Sequence, residues 1–159
     1  MRRATTVLGL ALALLSAASS PAAAQSRAES RDVQVEALRS LRSTISARGP
    51  EIALFVSDSP ADSAELSRLS QAAGNAKTAI SRELRCVAAD QCSDMPANVT
   101  LVTVSAARVD GNKAEVIVRV LRRGRRASGT AMVGGTIYTV SLTKVTGVWK
   151  AVGAKVSTS

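Results

Sequence analysis

The sequence predicts an α+β domain in which N-terminal helices pack on a C-terminal antiparallel meander of about four strands. Between residues 32 and 85 apolar residues recur every three or four positions, which is typical of helices. From residue 97 onward they alternate with polar residues, and Asp110-Gly111-Asn112 interrupts this alternation with a strong hairpin signal. Helices followed by a run of strands indicate one α+β domain over residues 32–159, with 32–85 helical and 97–159 forming the sheet, and not the βαβ alternation of a parallel sheet.

The first 24 residues have the organisation of a secretory signal peptide. Arg2 and Arg3 provide the charged start, residues 7–15 form an apolar stretch, and small residues dominate positions 16–24. The Ala22-Ala23-Ala24 run predicts cleavage before Gln25, and the apolar stretch is shorter than the ~20 residues that a membrane span needs. We therefore expect a bacterial protein that is periplasmic or secreted, with no transmembrane segment in its mature form.

The composition is basic and poor in the residues that catalysis and metal binding use most. The chain has 21 Lys and Arg against 12 Asp and Glu, a net charge of +9, and loss of the two leader arginines leaves +7. It contains no histidine and one each of Phe, Tyr and Trp. Histidine is the commonest proton shuttle near neutral pH and the commonest metal ligand. The composition therefore predicts no catalytic group, no metal and no cofactor, and disfavours an enzyme.

The predicted helical half follows a disordered lead-in over residues 25–31. A first helix from about Asp32 carries an apolar stripe, and Gly49-Pro50 ends it; the stripe consists of Val35, Leu38, Leu41 and Ile45. Residues 51–56 are too few for their period to decide between a helical turn and a buried extended segment. Ser59-Pro60 predicts the start of the next helix, whose apolar stripe continues as far as residue 84, although Gly74 weakens it.

The predicted sheet consists of two hairpins. The first joins residues 99–109 to residues 114–121, and one face of its second strand is formed by Ala114, Val116, Val118 and Val120. Glycines 129, 134 and 135 then predict irregular β-structure. The second hairpin joins a strand from about residue 136 to residue 145 with residues 148–157 across a Thr146-Gly147 turn, and its inward side chains are Tyr138, Val140 and Leu142.

The closing segment 137–153, with Gly147-Val148-Trp149-Lys150 at its turn, resembles the last hairpin of the NTF2-like, or cystatin-like α+β, superfamily. The resemblance covers about residues 97–159 and implies a curved antiparallel sheet that wraps around helices as a cone and often encloses a pocket. The superfamily includes isomerases, dehydratases, small-molecule binders and exported domains without catalysis. Because this chain lacks histidine and has no acid on the inferred inward faces of its last two strands, the resemblance assigns no catalytic residue.

Cys86 and Cys92 are the only two cysteines, and they predict a disulfide. Exported chains meet oxidising conditions, and two thiols without other soft ligands cannot complete a zinc site. Redox-active pairs are usually separated by two residues at a helix N-terminus, whereas Cys86 follows a predicted helix. A short disulfide loop of this kind also occurs in some exported inhibitors of enzymes, which provides one alternative function.

The densest charge cluster of the predicted mature chain lies at a predicted hairpin tip and consists of Arg119, Arg122, Arg123, Arg125 and Arg126. Guanidinium groups bind phosphates and carboxylates through a planar fork of donors. In an envelope compartment the anionic partners are lipid headgroups, lipopolysaccharide or wall polymers, and the lack of stacking aromatics argues against nucleic acid. The alternative interpretation is a solvated loop that protects strand ends. Tyr138 and Trp149 are the candidates for lining a pocket, with a purely structural role in the core as the alternative.

Together these features predict an exported, non-enzymatic domain that binds a small ligand or an anionic component of the cell envelope. Two alternatives remain open. One is a protein inhibitor that acts through an exposed loop. The other is a small NTF2-like enzyme of the isomerase or dehydratase type, which needs an inward acid or tyrosine beside a cavity. The sequence pattern carries no signal for the oligomeric state.

Overall fold

The computed structural model describes residues 21–49, 51–57, 61–81, 99–125 and 131–158. In these residues the helices are α1 (Pro21–Ser40), α2 (Arg42–Ser46) and α3 (Ser63–Ala73). The strands are β1 (Ile52–Val56), β2 (Thr78–Ser81), β3 (Thr100–Val104), β4 (Arg108–Asp110), β5 (Lys113–Arg125), β6 (Ala131–Val145) and β7 (Val148–Thr158). Most of the predicted signal peptide, residues 1–20, lies outside the described residues.

The strands form one seven-stranded sheet in the order β2-β1-β3-β5-β6-β7. β4 also pairs with β5. It lies on the same edge of β5 as β3, but nearer the N-terminal end of β5. β1 is parallel to both β2 and β3, whereas every other pairing is antiparallel. The predicted mixed α+β class with a mostly antiparallel sheet is confirmed. The sheet has seven strands instead of about four. β1 and β2 lie inside the segment 32–85 that was expected to be helical, and the predicted strand 99–109 is divided into β3 and β4.

Residues 51–56, whose structure the sequence left open, contain the central strand β1. Every residue of β1 is buried, and its parallel neighbours β2 and β3 pair with it on both edges. The sequence of a strand with both faces covered is a continuous apolar run, without alternation of apolar and polar residues. This explains why periodicity could not distinguish this strand from a helical turn.

Helix α3 is shorter than predicted at both ends. Asp62 caps it, because its side chain accepts a hydrogen bond from the Glu65 N–H at 2.8 Å while the Glu65 carboxylate accepts one from the Asp62 N–H at 3.2 Å. The predicted start at Ser59 is therefore wrong by a few residues. Gly74, with φ 105°, and Asn75, with φ 64°, end the helix in left-handed backbone. The chain then enters β2, so β1-α3-β2 forms a βαβ unit, which the sequence pattern did not predict.

Helix α1 starts before the predicted position and runs through residues 25–31, which were expected to be disordered. Its first turns are held by ion pairs to other elements: Arg27 Nη2 lies 3.1 Å from Glu65 Oε2, and Lys144 Nζ lies 2.6 Å from Glu29 Oε1. The polar composition of this segment predicted disorder because the partners of these side chains are distant in sequence. The predicted apolar stripe is confirmed as buried, from Val35 to Ile45.

The predicted turns and strand faces are confirmed in the C-terminal half. Gly111 (φ 56°) turns β4 into β5, and Thr146 and Gly147, both with positive φ, turn β6 into β7. Tyr138, Val140 and Leu142 are buried. Gly134 and Gly135 lie in a regular part of β6, opposite Arg122 and Leu121, and not in irregular structure.

The helices pack on one face of the sheet, called here the inner face, and enclose the main apolar core with it. α1 contributes Val33, Ala37 and Leu38, and the strands contribute alternate residues, among them Leu54, Val102, Val104, Val116, Val118 and Val140. A smaller cluster of Ala53, Phe55 and Leu101 lies on the opposite face. The main core is therefore built mostly from Val, Leu and Ile, whose branched side chains fit a pleated sheet, and alanines, Tyr138 and Trp149 complete it.

Gly135 and Gly134 provide a matched test of this packing. A Cβ on Gly135 would lie 2.5 Å from Val120 O and 2.6 Å from Leu121 Cδ2, whereas a Cβ on Gly134 would meet nothing within 4 Å. We expect Gly135→Ala to lower the free energy of unfolding by about 1 to 3 kcal/mol through overpacking. Gly134→Ala should leave it unchanged or raise it by a few tenths of a kcal/mol. Urea denaturation of both variants checks this, and equal stabilities would contradict the register of β5 and β6.

A candidate anion-binding surface on the outer sheet face

The face of the sheet opposite the helices, called here the outer face, is exposed along β4 to β7. On β5, buried Ala114, Val116 and Val118 alternate with exposed side chains that point to the outer face; these are Lys113, Glu115, Ile117 and Arg119. Residues directly opposite each other on antiparallel strands share a face. The strand register therefore defines which residues of β4, β6 and β7 lie on the outer face with them.

The register builds a shallow trough along β6. Its floor consists of short side chains, Thr143, Ser141, Thr139 and Ile137, which pair in turn with Lys113, Glu115, Ile117 and Arg119 of β5. On the other side, β7 places Lys150 opposite Thr143 and Lys155 opposite Thr139. Neighbouring strands lie about 4.8 Å apart, so Lys113 and Lys150 flank Thr143 with Cα atoms roughly 10 Å from each other. Long cationic side chains thus border a floor rich in hydroxyl groups.

At the end nearest β4 the trough deepens into a groove of about 470 Å³. Its walls include Arg108, Asp110, Lys113 and Glu115, and Ser141 and Thr143 lie between these side chains and Val152 of β7. Arg108 is opposite Glu115, and Asp110 is opposite Lys113. No ion pair within 4.0 Å joins these charges to any residue of the described ranges. Their donors and acceptors are therefore available to a ligand.

Among the side chains that the structure describes on the outer face, cations outnumber acids, and exposed apolar side chains lie among them. The described cations are Arg108, Lys113, Arg119, Lys150 and Lys155, and the described acids are Asp110 and Glu115. Ile117, Val145 and Val148 share this face and are 40%, 44% and 59% exposed. A bulge between Ser141 and Leu142 in the β6–β7 pairing adds Val152, which is also exposed. A surface of this kind suits a partner that is both anionic and partly apolar.

The structure separates the arginines that the sequence grouped together. Arg119 and Arg122 are exposed near the far end of β5, but they differ by three positions and so lie on opposite faces of the sheet. Arg123 and Arg125 belong to the β5 backbone, opposite Val133 and Ala131, and Arg126 lies outside the described residues. Among those of the five arginines whose side chains are described, Arg119 is therefore the one that lies on the outer face.

Tyr138 and Trp149, the pocket candidates, are buried side chains of the main core. Trp149 also forms part of the wall of a small cavity of about 240 Å³ between α1 and the β6–β7 turn. Lys144 Nζ lies 5.5 Å from the centroid of the indole ring and pairs with Glu29. The ion pair and the cation–π contact hold Lys144 against the indole ring, which favours the structural role for Trp149.

The predicted disulfide between Cys86 and Cys92 falls in segment 82–98, outside the described residues. Within the residues that are described, no cluster of three acidic, cysteine or histidine side chains could hold a metal ion. None of the described helices combines the length and apolar character that crossing a membrane requires.

A buried polar network ties the helices to the inner face of the sheet. Arg31 is 2% exposed; its Nη1 donates to Gln34 Oε1 at 2.8 Å, and its Nε lies 3.3 Å from Glu65 Oε2. Gln34 Nε2 donates in turn to the backbone oxygen of Ser105 at 2.7 Å. This network therefore ties α1 to α3 and to the segment between β3 and β4.

Glu65 carries the negative charge that balances Arg31. Partial burial by itself raises the pKa of Glu65, but the hydrogen bond from Arg27, the backbone hydrogen bond from Asp62 and the charges of Arg31 and Arg27 together hold this pKa below its ordinary value of 4.5. The ionised form is thus the one that the fold stabilises.

Lys113, Lys150 and Lys155 were not predicted as site residues, although the sequence contains a signal for two of them. Residues 148–157 were predicted as a strand, and Lys150 and Lys155 are its only charges. The missing information was the bulge, which shifts the register so that residues five positions apart both lie on the outer face.

A comparison with protein-family models gives no match, and a search of curated proteins finds no similar sequence. The geometry of the chain itself is therefore the basis for assigning a function.

Glu65→Gln tests the buried network. The substitution removes the carboxylate charge that lies 3.3 Å from Arg31 Nε, so we expect the free energy of unfolding at pH 7 to fall by about 2 kcal/mol, less than for a fully buried pair because Glu65 is partly exposed. Because the pKa of Glu65 is lowered in the folded state, its contribution is present above the unfolded pKa and is lost as pH falls through the folded pKa. Below about pH 4.5 the wild type should therefore approach the stability of the variant.

Urea denaturation between pH 7 and pH 3 measures both effects. Asp110→Asn is the matched control, since Asp110 is an exposed carboxylate with no ion pair among the described residues. A difference between wild type and Glu65→Gln that stays constant across this pH range would show that the charge of Glu65 does not stabilise the fold.

Proposed function

We propose that this protein is an exported, non-enzymatic domain that binds phosphorylated lipid headgroups of a bacterial envelope membrane through its outer face. The observation that carries the proposal is the strand register, which sets Lys113 and Lys150 on either side of Thr143 and Lys155 beside Thr139. Phosphate oxygens accept hydrogen bonds from ammonium and hydroxyl groups alike. A headgroup placed over the floor of the trough can meet both donor types at once.

The mixture of charge and apolar surface favours a lipid surface over a purely polar polymer. Each Lys or Arg near an anionic membrane contributes about 1 kcal/mol of attraction. Ile117, Val145 and Val148 are exposed on the same face, and burial of apolar area at the lipid boundary adds to that attraction. A wall polysaccharide would use the cations and hydroxyl groups but leave these aliphatic side chains in water.

The signal-peptide pattern of residues 1–24 supports a periplasmic or secreted location. Export with cleavage before Gln25 would deliver a periplasmic or secreted chain to a compartment where anionic lipids and lipopolysaccharide are the abundant phosphorylated surfaces. The proposal includes the predicted Cys86 to Cys92 disulfide, which such a compartment permits.

We also propose, at the level of the fold, that the chain is related to the NTF2-like superfamily. The long β6–β7 hairpin with its tight turn before Trp149, and the helices packed on one sheet face, support it. The parallel β1–β2 and β1–β3 pairs are features that the resemblance did not predict. An NTF2-like enzyme has less support, because Tyr138 is part of the packed core. The inhibitor alternative depends on the loop between Cys86 and Cys92, which is outside the described residues.

Adsorption to lipid vesicles tests the proposal. Vesicles of phosphatidylglycerol and phosphatidylcholine are sedimented with the protein lacking residues 1–24. Arg119→Ser/Lys155→Ser should weaken adsorption about 30-fold and Lys155→Ser alone about 5-fold, which correspond to about 1 kcal/mol per cation. Raised salt should weaken adsorption of the wild type further, because the attraction is electrostatic.

Lys77→Ser is the control, because Lys77 is an exposed lysine next to β2, at the opposite edge of the sheet, where it pairs with Glu51. It should change adsorption less than about twofold, because it lies away from the outer face. Equal losses for Lys77→Ser and Lys155→Ser would mean that net charge alone drives adsorption, and the outer face would then have no special role. Binding of the wild type to pure phosphatidylcholine with the same affinity would also contradict the proposal.

A further inference from the structure

A second cationic site lies on the helical side of the molecule. A cavity of about 330 Å³ between α1, α2 and α3 is lined by Val35, Arg39, Arg42, Arg68, Gln71 and Ala72. Val35 and Ala72 are buried and form an apolar floor, while the three arginines are exposed at the rim. Among the residues that the structure describes, no acidic side chain is part of this lining.

Helical spacing brings these side chains together. Val35 and Arg39 are one turn apart on α1, and Arg68, Gln71 and Ala72 occupy one face of α3 at positions i, i+3 and i+4. Arg42 begins α2, and its Cγ lies 3.9 Å from the place where a Cβ on Gly74 would be. The close approach of α2 to the end of α3 therefore holds the stem of Arg42 against the rim of the cavity.

The guanidinium groups retain donors for a ligand. Arg39 Nη1 lies 3.1 Å from Glu36 Oε2, and Arg68 Nη2 lies 2.8 Å from Asp32 Oδ1. Each guanidinium has five N–H donors, so one such contact leaves most of them available. Arg42 has no ion pair or hydrogen bond with any residue in the described parts of the chain. Gln71 adds a neutral amide donor.

The cavity lies near the C-terminal ends of α1 and α3, where the helix dipole disfavours an anion. This effect is weak at an exposed helix end, and Arg39 already neutralises it in the last turn of α1. Hydrogen bonds between guanidinium groups and phosphate oxygens are individually stronger than such a dipole contribution. The balance therefore favours binding of a doubly charged anion.

We infer that this cavity binds a small phosphomonoester, with the phosphate held by Arg39, Arg42 and Arg68 and an apolar group resting on Val35 and Ala72. A phosphomonoester offers two negative charges and three terminal oxygens, which suit several forked donors at once. The volume is at the lower end of the range for small-molecule sites, which limits the ligand to a compact compound. The site is separate from the outer face and does not depend on the proposed membrane binding.

Calorimetric titration with phenyl phosphate tests the inference, because this probe carries a phosphomonoester and one apolar ring. We expect saturable binding at one site per chain. Arg42→Gln should weaken it about tenfold, and Gln71→Ala should weaken it to a smaller extent. Arg48→Gln is the matched control, since Arg48 is an exposed arginine that donates to Thr136 Oγ1 at 3.2 Å and is not part of the cavity. It should leave the affinity unchanged.

Three results would overturn the inference: no saturable binding of phenyl phosphate, equal losses in Arg42→Gln and Arg48→Gln, or a loss caused by Arg119→Ser, which would move the site to the outer face. Thermal unfolding confirms that each variant is folded. Vesicles containing phosphatidic acid identify the source of the phosphomonoester. If Arg42→Gln also weakens adsorption to them, the ligand is a lipid headgroup; if only phenyl phosphate binding falls, it is a soluble compound. Vesicle adsorption through Arg119 and Lys155 tests the proposed function independently.

Discussion

Burial of the Arg31 guanidinium is the constraint on which the arrangement of this molecule depends. A charge that is almost fully removed from water requires a partner of opposite charge, since an unpaired one is strongly destabilising. Glu65 on α3 provides the charge, and Gln34 continues the network to the backbone of Ser105. Ser105 in turn exchanges hydrogen bonds with the backbone of Ile117 on β5. One buried cation therefore links two helices to the middle of the sheet, on the face where the main apolar core also packs them.

The uncovered outer face follows from that arrangement. Because α1 and α3 pack on one side only, the part of the sheet from β4 to β7 exposes its other side to solvent. On that side, β6 contributes mainly hydroxyl side chains, and the neighbouring strands β5 and β7 contribute the charged ones. β7 is an edge strand with several exposed valines, which would ordinarily favour aggregation. Lys150, Lys155 and the bulge at Val152 oppose edge-to-edge pairing. The same lysines that protect the edge supply part of the proposed anion-binding surface.

Much of the C-terminal half was predictable because local patterns decide it. The turns at Gly111 and Gly147 have residues suited to positive φ, and the alternation of Val116 and Val118 with charged neighbours specifies which face is buried. The N-terminal half was predicted less well. β1 has no period because both of its faces are covered, and the apolar pattern of α3 continues past Gly74 into β2 although the backbone there is no longer helical. Of the residues in the candidate site, only Arg119 was predicted. The lysines that share the outer face with Arg119 are distant in sequence from one another, so no local pattern groups them.

The sequence by itself determined the basic charge, the absence of histidine chemistry, the aliphatic core and the inward faces of the last strands. These properties depend on composition or on neighbours a few positions away, which the chain displays directly. Only the tertiary structure decided that β1 pairs in parallel with β2 and β3, that segment 25–31 is helical through contacts with Glu65 and Lys144, and that Lys113, Lys150 and Lys155 lie on one face. Each of these outcomes depends on pairing between residues far apart in the chain, and a single bulge or a buried ion pair is enough to change which side chains meet.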